Sequence, residues 1–272
     1  GAFGFRDQLQ DVLSIMLVNE QIARDQIIYH AKHQYYSGDV QHWWHKENNA
    51  GLRSRYSDDM LWLAYVTLEY IEKTGDKDIL NEQIEYLDSN SLEDYEKSRY
   101  EIPKIHEIKE SLYNHIKKAI NLSIEFNNEN NLPNIGSGDW SDGLNNLFGQ
   151  SVWLAFFLYD ILNKFVKYME NDNDVEIYKQ KIQELKMAIK NSWDGKWYKR
   201  ASNKEGIFIG SSINDECKID SLPQAWSVIS NFEDKQKNEI AMDSVDNILV
   251  DRENKIIKLF SPAFNNTQIE PG

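Results

Sequence analysis

The chain has 272 residues, 41% of them apolar, and carries a formal net charge of -14 with a pI near 4.9. That is enough chain and apolar content for one large domain or two ordinary ones. The acidity argues against a nucleic-acid binder, which needs a basic stripe to release counterions. No run approaches the ~20 apolar residues of a membrane span, so no membrane insertion is expected. The single cysteine, Cys217, cannot form an internal disulfide and reads as a small core or loop residue. With no basic-then-apolar leader in view, a cytoplasmic protein is expected.

The opening residues, GAFGFRDQLQD, run straight into an amphipathic pattern, an abrupt start that reads as an internal beginning. Leu9, Val12, Leu13, Met16 and Leu17 form one apolar stripe, and Ile22, Ala23, Ile27 and Ala31 a second. Leu61, Trp62, Tyr65, Leu68 and Ile71 mark a third helix, entered through Ser57-Asp58-Asp59, with serine as N-cap and acids in the first turn. Leu112, Ile116, Ala119 and Ile120 mark a fourth. Ser151 to Met169 is apolar nearly all round and reads as a buried helix. Val175, Tyr178, Ile182, Leu185 and Ile189 follow, then a helix with Pro223 in its first turn, then one over Asp234 to Leu249. Strand signals are few: KWYKR (Lys196 to Arg200), GIFIG (Gly206 to Gly210) and KIIKLF (Lys255 to Phe260). The run Asn127 to Asn131 reads as an exposed turn.

These elements predict one all-α domain over residues 1–272, with short β decorations. Most residues with chemical potential sit just before a helix: FGFRD, GDVQHWWH, RYSDD, GSGDWSDG and NDECKID. Alternating inner and outer helices, with polar motifs gathered at one end, is the pattern of an (α/α)6 barrel. Helix N-termini would then converge on one cleft and favour anions such as phosphate. About eight helices are visible by periodicity, fewer than a closed six-hairpin barrel needs. The barrel is therefore expected to be incomplete, with a second copy or a partner chain covering the exposed helix faces.

The stretch GSGDWSDG, Gly136 to Gly143, sets two aspartates three residues apart around a tryptophan. It reads as a solvated turn with capping aspartates, or as an acid beside a sugar platform. A calcium loop would need ligands at alternating positions, which Asp139 and Asp142 do not provide. Glycosidic cleavage needs a proton on the leaving oxygen, from a carboxyl group kept protonated. Trp140 would cover a sugar face and exclude water from that acid. His42 and His45 have no obvious third metal ligand, so no metal is expected and they read as cleft-lining residues. Arg6-Asp7 and Asp58-Asp59, each taken alone, read as helix-start charges.

Taken together, GAFGFRDQLQDVL, GDVQHWWH, RYSDDMLWLAY, GSGDWSDGLN, SVWLAFFL and NDECKIDSLPQAWSVIS resemble, in order, the catalytic domain of the inverting β-glycoside phosphorylases. That family includes cellobiose and chitobiose phosphorylases and the phosphorylase-like domain of cyclic β-1,2-glucan synthases. GDVQHWWH and NDEC look more like the chitobiose phosphorylase and glucan synthase branch. The resemblance implies an (α/α)6 barrel in which inorganic phosphate, a co-substrate and not a cofactor, displaces a sugar from a β-linked gluco- or GlcNAc-oligosaccharide. The product is an α-sugar 1-phosphate, and one protein carboxyl serves as general acid. By the family's Asp-Trp-Asn-Asp pattern that acid falls on Asp142, with Ser141 here in place of asparagine. Trp140 and Asp7 match residues that hold the sugar under attack, and Arg6 and Asp139 are candidates that support them. The resemblance also implies a Glu-Asn-Gly-Gly run and a phosphate-binding histidine downstream of IEPG; these 272 residues contain neither, so they are expected to hold the acid without the phosphate site. Two rivals remain: an inverting hydrolase using Asp58 or Asp59 as base, and a non-catalytic glucan-binding or structural fragment.

Overall fold

The computed structural model describes residues 1–126, 128–169, 173–266 and 270–272. Asn127, where the expected asparagine turn begins, lies outside the described residues, as does Ile269 of IEPG. Glu129 and Asn130 do form an exposed turn, closed by Asn131 N–H donating to the Asn128 carbonyl. The chain divides into two compact units, Gly1–Glu125 and Phe126–Gly272.

The first unit packs four helices: α1 (Phe5–Ile15), α2 (Glu20–Ala31), α3 (Asp59–Thr74) and α4 (Leu112–Ile124). α1 and α4 bury one stripe each, Phe5, Leu9 and Val12 on α1 and Leu112, Ile116, Ala119 and Ile120 on α4. α3 is buried on all sides from Asp59 to Leu68 because the other three helices pack around it. Its end is set by Gly75, whose φ of 77° is a left-handed cap that lets its N–H reach the Ile71 carbonyl.

The same unit corrects the expectation of an all-α chain. Strands β1 (Ala2–Gly4), β2 (Gln41–His45), β3 (Gly51–Ser54) and β5 (Ser98–Glu101) form an antiparallel sheet in the order β1-β2-β3-β5. β4 (Gln83–Asp88) and β6 (Lys104–Ser111) form a separate hairpin. Over the chain the composition is 44% helix and 21% strand, so helices dominate without excluding sheet. In QIEYLD, Ile84 and Tyr86 are buried while the residues between and before them are more exposed, the period of two that a half-buried strand requires. GDVQHWWH, expected as a loop, contributes β2 because its backbone pairs on both sides, with β1 and with β3.

The second unit is built on α5 (Val152–Phe165), buried along almost its whole surface as its sequence demanded, with α6 (Val175–Asn191), α7 (Ser221–Ile229) and α8 (Lys235–Ile248). Phe156 meets Tyr198 and Phe232 edge-on at 5.1 and 5.4 Å. Truncating such a buried ring to alanine typically costs ~3–5 kcal/mol. β7 (Phe148–Ser151), β8 (Ala201–Asn203) and β9 (Phe208–Ile209) form an antiparallel sheet. Short pairs join β10 (Ile219–Asp220) to β13 (Phe260–Ser261) and β11 (Val250–Asp251) to β12 (Ile256–Ile257).

KWYKR is not a strand beyond an isolated Trp193–Tyr198 bridge. Side chains add to scattered backbone bonds in holding it: the Trp197 indole donates to the Gly210 and Lys218 carbonyls, and the Tyr198 N–H donates to Gln224. Among the described residues no helix is long and apolar enough to cross a membrane.

Candidate active site

In the first unit the chemistry collects where α1 and α3 begin. Arg6, in the first turn of α1, sends Nη1 to both oxygens of Asp58, at 3.0 and 3.2 Å. The Trp62 indole donates to the same carboxylate at 2.9 Å. Asp58 is fully buried, and Arg6 nearly so. Ser57 was expected to cap α3, yet the N-cap is Asp58, whose side chain makes no capping bond because Arg6 and Trp62 occupy it.

Asp59, also buried, accepts from His42 Nδ1 at 2.8 Å and lies 3.9 Å from Arg6. That bond fixes the His42 tautomer and orientation, and Tyr56 stacks on the imidazole at 4.5 Å. Asp7 stands apart from this cluster. It is exposed, and its carboxylate folds back over Gly4, where any side chain would collide with it. Arg6 is therefore anchored behind the surface and Asp7 is presented on it. Asp58 and Asp59, the hydrolase rival's candidate bases, are both shut away from bulk water.

In the second unit GSGDWSDG is built on a buried ion cluster. Asp139 has no exposed surface, and Arg200 grips both its oxygens at 2.6 Å each. The Ser151 hydroxyl donates to it at 2.6 Å and the Ser141 N–H at 3.1 Å. Burial alone would raise the pKa of Asp139, but the Arg200 charge and these donors win and hold it below the usual carboxylate range. Ser151 also caps α5 by accepting from Leu154 N–H, so one residue ties the loop to the helix.

Arg200 has a second acid beside it: Asp220 Oδ2 lies 3.3 Å from Nε. Burial pushes the Asp220 carboxyl up to about 6, with Arg200 opposing. Asp220 Oδ1 caps α7 through Leu222 N–H.

Asp139, a candidate to support the substrate contacts, has no accessible surface and both oxygens engaged, so it holds the loop. Trp140 is half-buried, and Asp142 is exposed at the start of a short 3-10 turn, Asp142–Leu144. Leu144 anchors that turn in an apolar cluster with Ile135, Leu147, Ala201, Ile209 and Cys217. The shelter expected from Trp140 is not supplied by the loop itself, since Asp142 faces solvent. Cys217 is an ordinary core residue, its thiol pushed up to about 12 by burial. The candidates thus divide between the units, Arg6 and Asp7 in the first and Asp139, Trp140 and Asp142 in the second.

The sequence profile of the Glycosyl hydrolase 94 superfamily, catalytic domain, matches residues 1–272. The chain belongs to the glycosyl hydrolase 94 superfamily. Cyclic beta-(1,2)-glucan synthase NdvB of Rhizobium meliloti is 39% identical over an alignment of 280 positions that covers 100% of this chain and 10% of that protein. Solabiose phosphorylase of Paenibacillus borealis is 30% identical over 90% of this chain and 30% of its own length. N,N'-diacetylchitobiose phosphorylase of Vibrio proteolyticus is 26% identical over 89% and 32%. The chain therefore spans between a tenth and about a third of these relatives. Among solved structures, a rhamnosidase from Klebsiella oxytoca with rhamnose bound matches with a TM-score of 0.60 at 14% identity, over 91% of this chain and 42% of that one. That likeness is one of fold alone, with the six-hairpin toroid enzymes.

Sequence reasoning missed three residues of this glycosyl hydrolase 94 chain that do much to shape the loop. Arg200, Ser151 and Asp220 lay inside stretches read as strand, helix or motif, with no role assigned. The available signal was an arginine that KWYKR's apolar neighbours would bury, since a buried guanidinium requires acids around it.

Proposed function

We propose that the protein to which these residues belong is an inverting β-glycoside phosphorylase, or a β-glucan synthase with an equivalent domain. Both units would form part of one catalytic domain. Asp142 protonates the leaving glycosidic oxygen while inorganic phosphate attacks the anomeric carbon from the opposite face. The C–O bond to the leaving sugar breaks, a C–O bond to phosphate forms, and an α-sugar 1-phosphate departs. Trp140 and Asp7 hold the sugar under attack, and Arg6 and Asp139 fix the segments that carry them. The substrate is a β-linked gluco- or GlcNAc-oligosaccharide, in keeping with the names of the relatives above.

One observation carries the assignment within the loop. Of its two acids, Asp139 is locked inside and Asp142 is exposed, so only Asp142 can meet a substrate oxygen. Asp58 is saturated by Arg6 and Trp62, which disfavours the hydrolytic alternative with that residue as base.

The test uses the full-length parent. Asp142→Asn should abolish phosphorolysis of an ordinary disaccharide, yet retain much more phosphorolysis of a 2,4-dinitrophenyl β-glycoside, whose leaving group needs less help from an acid. Wild-type phosphorolysis by Asp142→Asn would defeat the assignment. The 272 residues alone should release no sugar 1-phosphate, since the phosphate-binding run that the resemblance implies is not among them.

A further inference from the structure

Phe148 is an anomaly of the second unit. It is a bulky residue with φ of 52°, in the left-handed region, and it is 47% exposed. Neither feature is favourable by itself, and a strained, solvent-facing aromatic residue is more often kept for contact than for stability. The next residue explains how the backbone is held there. Gly149 lies so close to β8 that a Cβ would meet the Ser202 carbonyl oxygen at 2.1 Å. The chain presses flat against β8, and the bulge between Phe148 and Ser151 turns the preceding residue outward.

The ring borders a cleft of about 400 Å³ whose other walls are almost all amides and carboxylates: Asn130, Gln150, Asn203, Glu129 and Glu205. Hydrogen bonds orient the three amides. Asn130 Nδ2 donates to Gln150 Oε1 at 2.8 Å, which leaves the Asn130 carbonyl and the Gln150 amide N–H groups to serve a ligand. Asn203 Oδ1 accepts from the Glu205 and Ile207 N–H groups, so its Nδ2 is the group it offers. A smaller cleft of about 120 Å³ adjoins, sharing Glu129 and Asn130 as a wall and carrying a second ring, Phe208.

Donors and acceptors interleaved around an aromatic ring suit a neutral ligand that has hydroxyls on its rim and an apolar face. A phosphate or nucleotide would meet two carboxylates and one lysine, and two carboxylates alone make a poor cation site. The volume falls in the range of small-molecule sites, and the adjoining cleft extends it beyond one ring. We propose that this double cleft is a carbohydrate-binding site separate from the Asp142 loop. It would hold a neutral β-linked gluco-oligosaccharide with one sugar face against Phe148. The choice of sugar rests on the proposed function; the geometry of the site does not.

The experiment is calorimetric titration of the 272-residue chain with sophorotetraose, cellotetraose and tri-N-acetylchitotriose, in the absence of phosphate. At least one should bind, and Phe148→Gly should weaken it about tenfold. Glycine accepts the left-handed φ, so the thermal midpoint of that variant should hold or rise, which separates lost contact from lost fold. Phe148→Tyr, which keeps the ring, should bind as the wild type does. No binding across the panel, or equal affinity in Phe148→Gly and wild type, would overturn the site. A parent that binds through Phe148 but catalyses no phosphorolysis would leave this site standing while the proposed function fell.

Discussion

Removing the Arg200 guanidinium while keeping its bulk, as in Arg200→Met, tests whether the GSGDWSDG loop is held by charge. Asp139 and Arg200 are both fully buried and joined by two 2.6 Å bonds. Without its partner Asp139 must stay ionised in an apolar interior or take up a proton. The second route is cheaper and caps the cost. For an ordinary aspartate of pKa ~3.9, protonation at pH 7 costs about 1.36 × 3.1, or ~4 kcal/mol, within the range seen when buried pairs are broken. At pH 5 the same arithmetic gives ~1.5 kcal/mol. In the variant the folded state binds the extra proton, so its stability falls as pH rises, opposite to the wild-type contribution of a carboxylate whose pKa is depressed. Asp220 faces the same guanidinium and adds a cost of the same sign. Urea unfolding at pH 5 and pH 7, with hydrogen exchange at residues 139–151, should show the larger loss at pH 7, equivalent to ~8–16 °C in midpoint for a unit of this size. Adding Asp139→Asn to the variant should remove most of that pH dependence. A loss below ~1 kcal/mol, or one equal at both pH values, would refute the reasoning.

Three further outcomes follow from buried charge and exposed apolar surface. Asp220→Asn keeps the cap oxygen and removes an acid that burial has pushed up to about 6. Because the folded state holds that proton above pH ~4, the native acid costs stability as pH rises toward 6, and the variant should gain up to about 3 kcal/mol at pH 7 and nothing at pH 4, measured by urea midpoints. His30, His33 and His115 are buried and lowered to about 4, mainly by desolvation, so the unfolded state takes protons first and the first unit should lose stability as pH falls from ~6.5 toward 4, by up to ~3 kcal/mol per histidine; a thermal midpoint flat between pH 7 and pH 5 would contradict this. Leu17, Val18 and Ile22 are exposed together at the α1–α2 turn, so the isolated chain should self-associate at high concentration by light scattering, and a strict monomer would count against that expectation.

The helices were legible because their signal is local. Leu9, Val12 and Met16 and most of the apolar run after Ser151 are buried as their period states, whereas Leu17, at the end of its stripe, is exposed. The first unit's strands were not legible, because QHWWH and KIHEIKES mix histidine, lysine and glutamate into runs whose pairing partners lie elsewhere in the chain. The site was legible in part for the same reason. GSGDWSDG announces itself through composition within eight residues, but what decides between its two acids is Arg200, 61 residues from Asp139. Arg6 stands next to Asp7 in sequence, although its partner is Asp58, 52 positions away.

These distant partners have a common placement that gives them a shared purpose. Arg6 leads α1, Asp58 and Asp59 lead α3, Ser151 caps α5 and Asp220 caps α7, and each is buried. Burying a guanidinium with two carboxylates contributes little net stability, since desolvation offsets most of the attraction. Its effect is on geometry: a carboxylate that cannot remain ionised without one particular partner admits few alternative loop conformations. The Asp139–Arg200 clamp and the Leu144 anchor lie on either side of the Trp140-Ser141-Asp142 step, so the exposed acid stands on a support fixed at both ends. The role proposed for Asp142 needs that kind of support, because a 1 Å misplacement of a proton donor can cost about a hundredfold in rate. Ser141 gives its N–H to Asp139, a backbone contact that does not depend on its side chain.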